Sequence, residues 1–464
     1  MRAAQGGCAP SPPTAAPPSP PREIIALVDG EHHPPVVRDA LARIARTERI
    51  AAVLFAGGEE KVSERVLADT VAHYGFEVTL PAGGIRAGLR ELAGGCAADA
   101  VVDLSGDPVL AAQERFAVAA VALDLGLEYR APGIRLTPPP AERIDTDVPV
   151  LAVIGTGKRT GKTALGTHVA ALLRDAGRAP VVVSMGRGGP PQPALVRGEA
   201  LPGVADLIDI VRGGGHGASD YLEDAILARV TTVGCRRCGE GPAGETFESN
   251  VVEGVRLALR EDPGIVVVEG SGAALPPVAA DRTVCATSAA RVAADALSYL
   301  GPVRLLRSQL LVVFGASERG PAEREALVDR LTEWIPRDSI ALCELEPEPA
   351  GEVPEGARVA CFTTASPGAE ARQREALARR GVEPRRWSVN LARRRDLERD
   401  VEEALRDGCD VFLTELKAAA VEIVATRAVQ AGARVVFLRN RPVAVAGGSL
   451  DDRLVRLADT GVPA

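Results

Sequence analysis

Strands alternating with helices, a glycine-rich turn joining a buried strand to a helix, and a proline-rich break between two such regions predict an α/β protein. The expected architecture is a parallel-sheet domain of the P-loop NTPase kind over residues 147–337. A smaller Rossmann-like α/β domain, 23–146, precedes it, and a C-terminal α/β portion, 338–464, follows.

Taken in order, residues 1–22 are rich in Ala, Pro and Ser and lack an apolar segment of the signal-peptide type, so they read as a disordered extension. Ile24-Ile-Ala-Leu-Val-Asp29-Gly30 has the apolar run of a buried strand, followed by a helix from about Pro35 to Arg46. Ile50 to Phe55 is a second strand and Glu59 to Tyr74 a second helix; Glu77 to Leu80 and Ala100 to Ser105 continue the alternation. Strands spaced by helices in this way form βαβ units and a parallel sheet. The linker Thr137-Pro-Pro-Pro140 marks the boundary.

The second domain opens with Val150-Leu-Ala-Val-Ile-Gly155-Thr-Gly-Lys-Arg-Thr-Gly161-Lys162-Thr163, read as a buried strand, a phosphate-cradling turn and the start of a helix running to about Gly177. Backbone N–H groups of such a turn face phosphate oxygens, and the helix N-terminus adds its positive dipole end. Lys162 is placed to reach the β- and γ-phosphates of ATP, and the Thr163 hydroxyl to ligate Mg²⁺; Gly155, Gly157, Arg159 and Gly161 complete the nucleotide cradle. Counting back from Gly161, the first glycine of the strict P-loop pattern falls on Thr156. The nine residues Gly155 to Thr163 resemble instead the longer loop of dethiobiotin synthetase-type proteins.

Further along, Ala179 to Met185, Gly264 to Glu269 and Leu310 to Phe314 are strands, and Val204 to Arg229 is helical around a glycine loop, Arg212 to Gly217. Glu269 closes its strand where a P-loop fold places a second acid, opposite Thr163, for the metal. Its Glu-Gly-Ser-Gly resembles the Glu-Gly-Ala-Gly of dethiobiotin synthetase-like enzymes. Gly186-Arg187-Gly188-Gly189 ends another strand at the same sheet edge, and Arg187 offers a fork for phosphate or carboxylate. With Lys158 and Arg159 it supplies more positive charge than ATP alone needs, which points to a second polyanionic substrate.

Other residues leave two readings open. His216, in the glycine loop, either serves a phosphate as donor or acid/base or is a solvated loop residue; Asp220 and Glu223 beyond it are weaker candidates. Cys235-Arg-Arg-Cys238 lacks the second ligand pair of a closed zinc site, which favours an inert pair over a metal site; Arg236 and Arg237 beside it are possible anion ligands. Asp29-Gly-Glu31-His32-His33 and Asp103-Leu-Ser105-Gly-Asp107 end strands of the first domain and fit either a small-molecule or metal site or ordinary turns. In the last portion, Arg358 to Thr363, Val411 to Thr414 and Arg434 to Leu438 are strands that either extend the P-loop sheet or form a third domain. Thr414-Glu415-Leu-Lys417 is not a guanine-reading motif, which leans the nucleotide toward ATP.

Composition excludes several classes. A net charge of −8 and 3% aromatic residues give neither a basic footprint nor stacking platforms for nucleic acid. No apolar run reaches the length of a membrane span. Eight scattered cysteines suit reduced thiols in a cytoplasmic enzyme.

Taken together, these stretches resemble the cyclic 2,3-diphosphoglycerate synthetase family: Leu27 to His32, Gly155 to Thr163, Ser184 to Pro190, Gly213 to Asp220, Glu269 to Pro277 and Thr414 to Ala420. The resemblance implies an ATP- and Mg²⁺-dependent ligase that joins the two phosphates of 2,3-bisphosphoglycerate into an intramolecular anhydride, releasing ADP and phosphate. Positioning and charge neutralisation by Lys162, Lys158, Arg187 and His216, with the metal on Thr163 and Glu269, carry such a reaction. A homodimer is expected by analogy. The rival readings are another small-molecule kinase or ligase, such as a phosphoglycerate kinase, and a nucleotide-switched regulatory module.

Overall fold

The computed structural model describes residues 21–365, 367–446 and 448–459. The extension read over 1–22 lies outside these up to residue 20. The chain forms two units: one holds the residues up to Ala111 and Leu125–Thr137, the other holds Ala112–Asp124 and the chain from Pro138 onward. Among the described residues, no helix is long and apolar enough to cross a membrane.

The first unit is a six-stranded sheet of β1 (Glu23–Val28), β2 (Arg49–Phe55), β3 (Val78–Thr79), β4 (Ala100–Asp103), β5 (Glu128–Ala131) and β6 (Ile134–Leu136), in the order β3-β2-β1-β4-β5-β6. Only β6 runs antiparallel to its neighbour. Ile24 to Val28 are wholly buried, which is why the central strand reads as an unbroken apolar run. The strand order reverses on either side of β1, the Rossmann-like arrangement that opens a crevice at the carboxyl ends of β1 and β4. Helix α1 (Pro34–Ile44) buries Val37 and Leu41.

One expected helix differs. The segment 59–74 holds two short helices, α2 (Glu64–Ala68) and α3 (Thr70–Tyr74), broken at Asp69. The Asp69 carboxylate accepts a hydrogen bond from the Ala72 N–H at 3.1 Å and so starts a new helix rather than continuing the old one. Before α2, the Lys61 N–H donates to the Gly30 carbonyl at 2.8 Å, which holds residues 59–63 as a loop over the end of β1.

The second unit is built on one large sheet. Its strands are β7 (Val150–Gly155), β8 (Pro180–Gly186), β9 (Ala194–Val196), β10 (Thr231–Cys238), β11 (Glu248–Ser249), β12 (Ile265–Glu269), β13 (Arg282–Ser288), β14 (Leu310–Phe314), β15 (Ile340–Pro349), β16 (Val359–Phe362), β17 (Arg386–Ser388), β18 (Val411–Glu415) and β19 (Arg434–Ala444). The order is β11-β10-β8-β12-β7-β13-β14-β15-β19-β18-β16-β17, with β9 alongside β10. The strands from β10 through β15 on this path are parallel, and β15 pairs antiparallel with β19, so the C-terminal strands extend the sheet that holds β7.

Strand β7 is buried along its whole length between β12 and β13. Leu165, Val169 and Leu173 of the helix Lys162–Asp175 pack on this sheet with Leu151, Val153, Val267, Val284 and Val312. Two more helices matter for the site: Val204–Arg212, and Asp220–Ala228 after the glycine loop.

Candidate active site

The carboxyl ends of β7, β8 and β12 converge on the turn after β7. There the chain enters its helix through Arg159 (φ 62°) and Gly161 (φ 86°). At Gly161 positive φ and crowding both demand glycine, since a Cβ would lie 2.5 Å from the Phe314 ring at the end of β14. The turn is braced from β13: the Thr156 N–H donates to the Ala286 carbonyl at 3.1 Å, and the Thr156 and Thr287 hydroxyls are 2.8 Å apart. Within it, the Thr160 hydroxyl donates to the Gly157 carbonyl at 3.3 Å. Lys162 and Thr163 form the first turn of the helix, whereas Lys158 and Arg159 are exposed at the rim without an ion-pair partner among the described residues.

Glu269 ends β12 and is 2% exposed. Its Oε1 is buried without a hydrogen-bond partner, the state of a carboxylate oxygen suited to a cation. It fits beneath the helix because residue 166 is glycine: a Cβ there would overlap Glu269 Oε1. Burial pushes the Glu269 carboxyl well above its ordinary range, Asp224 adds to this, and Lys162 opposes it. Burial likewise pulls the Lys162 ammonium down, against Glu269 and Asp220. A polyphosphate on Lys162 and a divalent cation on Glu269 would each supply the opposite charge that these groups favour.

Behind this pair lies a set of buried charges that the sequence reading only touched. Asp224 is fully buried, accepts from the Thr167 hydroxyl at 2.8 Å, and is pushed up to about 7, chiefly by burial. Glu223 is pushed up to about 8 by burial, although Lys417 Nζ lies 3.2 Å from its Oε1. Lys417 follows β18, and Glu223 and Glu415 hold its ammonium above the ordinary range despite burial. Glu415 accepts from the Thr364 N–H (2.7 Å), the Thr364 hydroxyl (2.6 Å) and Asn440 Nδ2 (2.6 Å). Asp224 went unread because an acid in an amphipathic helix ordinarily faces water; its signal is its place among Leu222, Ala225 and Leu227 on the buried face.

Arg187, at the end of β8, reaches Glu240 Oε2 with its Nη2 at 3.3 Å. Arg237, on β10, donates to the same oxygen at 2.5 Å. His216 stands exposed before the helix Asp220–Ala228, its Nδ1 3.8 Å from Glu422 Oε1; among the described residues no hydrogen bond or ion pair joins it to Lys162 or Glu269.

The remaining sequence candidates lie at strand ends. Cys235 is buried, its thiol pushed up to about 12 by burial, while Cys238 is exposed. Three residues apart on β10, they face opposite sides of the strand. Among the described residues no three His, Cys, Asp or Glu side chains form a metal-holding group. In the first unit, Asp29 spends both oxygens locally: Oδ1 accepts from the Glu31 N–H (3.1 Å), the His32 N–H (3.1 Å) and His32 Nδ1 (2.7 Å), and Oδ2 from the Gly106 N–H (2.7 Å). Asp103 accepts from the Ser105 N–H (2.8 Å) and from the Ser105 and Tyr129 hydroxyls (2.5 Å each). Both acids fix the strand-end loops.

Comparison with known proteins covers nearly the whole chain. Residues 150–340 match the P-loop domain of cyclic 2,3-diphosphoglycerate synthetase, residues 23–137 its N-terminal domain, and residues 349–441 its C-terminal domain. A cyclic 2,3-diphosphoglycerate synthetase of Rubrobacter xylanophilus is 44% identical over 443 residues, covering 94% of this chain and 96% of that protein. Proteins of the same name from Thermococcus gammatolerans and Methanothermobacter thermautotrophicus are 38% and 35% identical, covering 93% and 95% of this chain and 96% of each relative. With all three domains matched in order around the turn and acid just described, the chain belongs to the cyclic 2,3-diphosphoglycerate synthetase family.

Proposed function

We propose that this protein is an ATP-dependent ligase that closes 2,3-bisphosphoglycerate into cyclic 2,3-diphosphoglycerate. The observation that carries the reading is Lys162 beside the buried Glu269 at the phosphate turn, in a chain similar over nearly its full length to proteins of that name. In the first step an oxygen of one substrate phosphate attacks the γ-phosphorus of ATP, a P–O bond forms, and the bond to the β-phosphate breaks to release ADP. In the second, an oxygen of the neighbouring phosphate attacks the activated substrate phosphorus. The cyclic anhydride forms and inorganic phosphate leaves with the bridging oxygen.

Every reactant is an anion, so catalysis consists of positioning and charge neutralisation. Backbone N–H groups from Gly157 to Gly161 hold the ATP phosphates, and Lys162 takes up charge developing on the transferred group. Thr163 and Glu269 would hold Mg²⁺, which would neutralise phosphate charge there. Arg187, with Lys158 and Arg159 at the rim and His216 from its glycine loop, meets the second substrate. The reading includes a cytoplasmic homodimer; eight scattered cysteines suit a reducing compartment.

The test is ³¹P NMR of the purified protein with ATP, Mg²⁺ and 2,3-bisphosphoglycerate. ADP and phosphate should appear together with an upfield anhydride resonance distinct from those of the nucleotides. ATP consumption with both phosphate esters unchanged would refute the substrate assignment.

A further inference from the structure

Three side-chain nitrogens and oxygens meet at one point beside the loop that follows Glu269. A Cβ on Gly272 would lie 2.5 Å from Arg187 Nη2, 2.6 Å from Glu240 Oε2 and 3.0 Å from Arg237 Nη2. Residue 272 is therefore held to glycine by its φ of +65° and also by this convergence.

The three groups differ in how firmly they are held. Arg237 is 7% exposed and anchored: Nη1 donates to the Gly239 carbonyl at 2.7 Å, and Nη2 to the Ser271 carbonyl at 2.6 Å and to Glu240 Oε2. Its Nε is buried without a partner. The Arg187 side chain is half exposed, and that of Glu240 is 31% exposed on a turn flanked by Gly239 (φ 77°) and Gly241. Two guanidiniums on one carboxylate make the geometry in which Arg pairs bind a phosphate, with one net positive charge left over. Both arginines also lie close enough to Lys162 for their charge to help hold its ammonium down, behind the larger effect of burial, which places the pair near the nucleotide turn.

We propose that Arg187 and Arg237 form the subsite for the second phosphate of the substrate, and that Glu240 is an internal carboxylate with which that phosphate exchanges. The inference rests on the reading of a bisphosphorylated substrate. A dianionic phosphate outcompetes a carboxylate here because it brings twice the charge and three acceptor oxygens to the same donors. A ligand with a single carboxylate has no such advantage over Glu240. The fork thus selects a second phosphate over a carboxylate at this position, and the anchored Arg237 sets the distance between the two phosphates. Arg187 was visible in the sequence as a cation in a glycine-rich strand end. Glu240 was not, because its role depends on the turn after β10 folding back over the Glu269 loop.

The test is isothermal titration calorimetry on the full chain, with 2,3-bisphosphoglycerate, with pyrophosphate, and separately with a non-hydrolysable ATP analogue. Arg237→Lys should weaken 2,3-bisphosphoglycerate binding about tenfold and leave the affinity for the analogue unchanged, since lysine lacks the fork. Glu240→Gln, at a partly exposed position that keeps the fold, should tighten binding several-fold by removing the competing charge. If Glu240→Gln weakens binding as Arg237→Lys does, Glu240 is a brace for Arg237 and the exchange is overturned. If wild type ignores 2,3-bisphosphoglycerate but binds pyrophosphate with the same dependence on Arg237 and Glu240, the subsite stands and the proposed substrate falls. Binding of both anions that is indifferent to either substitution overturns the subsite itself.

Discussion

Replacing Gly166 by alanine separates the placement of Glu269 from the stability of the fold. Gly166 lies in the second turn of the helix Lys162–Asp175, where alanine favours the helix over glycine by about 1 kcal/mol. Here, however, the added methyl would overlap Oε1 and Cδ of Glu269 and reach its Cγ at 3.2 Å. Overpacking of a close-packed site destabilises by about 1–3 kcal/mol, so the net loss is about 0–2 kcal/mol and the melting temperature falls by only a few degrees. Turnover should suffer far more. To make room, the carboxylate must shift by about 2 Å, and a misplacement of even about 1 Å in a positioned group lowers rate about 10²-fold. The assay is ADP release against Mg²⁺ concentration at saturating ATP, run beside a thermal melt. The expected variant is folded, slow, and shifted to higher Mg²⁺. Wild-type turnover with an unaltered Mg²⁺ requirement would refute the assignment of Glu269 to the metal.

Other outcomes follow from the same geometry. Lys162→Ala should lower turnover by about 10²–10³-fold with the melt preserved, the scale of losing one charge-stabilising donor; unchanged ADP release would remove Lys162 from the reaction. Asp224 is pushed from 3.8 up to about 7, so the folded chain keeps a proton that the unfolded chain has released, and its stability falls as pH rises through that window. Asp224→Asn should therefore match wild type at pH 4 and exceed it by up to about 4 kcal/mol at pH 8 in urea melts; a less stable variant at pH 8 would contradict the dominance of burial. Chelation of divalent cations should stop turnover and added Mg²⁺ restore it, while Cys238→Ser leaves both responses as they are. A zinc requirement lost with Cys238 would revive the metal reading of that pair.

The strands and turn that carry the nucleotide chemistry were legible because each is a long apolar run punctuated by glycine. Val150 to Ile154 is buried on both faces, so it shows no alternation, and the glycines after it mark the turn without any tertiary information. Glu269 and Arg187 were legible for a related reason: a charge that abruptly ends such a run falls at the carboxyl edge of the sheet. Strands β10 and β13 were not, since both carry polar residues at their ends and expose only a short apolar centre to a sequence pattern. Strand β15 was hidden by Pro347 and Pro349, which fall where it pairs with β19 alone, beyond its partnership with β14. The convergence of Arg187, Arg237, Glu240 and Gly272 joins the ends of β8, β10 and β12, tens of residues apart in sequence, and only the folded parallel sheet brings them together. The buried acids Glu223 and Asp224 lie at the other extreme: a sequence shows charge but not whether water reaches it.

The continuity of the large sheet bears on how the protein can be cut. Three family domains match in succession, yet β15 runs through the gap between the second and the third, bonded to β14 on one side and to β19 on the other. A fragment that stops near residue 340 would leave the N–H and C=O groups of β14 as an open ladder, ready to recruit another chain. The nucleotide-binding part is thus a poor candidate for recombinant isolation or for grafting onto another scaffold. Any shuffling that kept it soluble would have to carry β15 and β19 along or cap the severed edge, so the separately recognisable segments are expected to have travelled through evolution together.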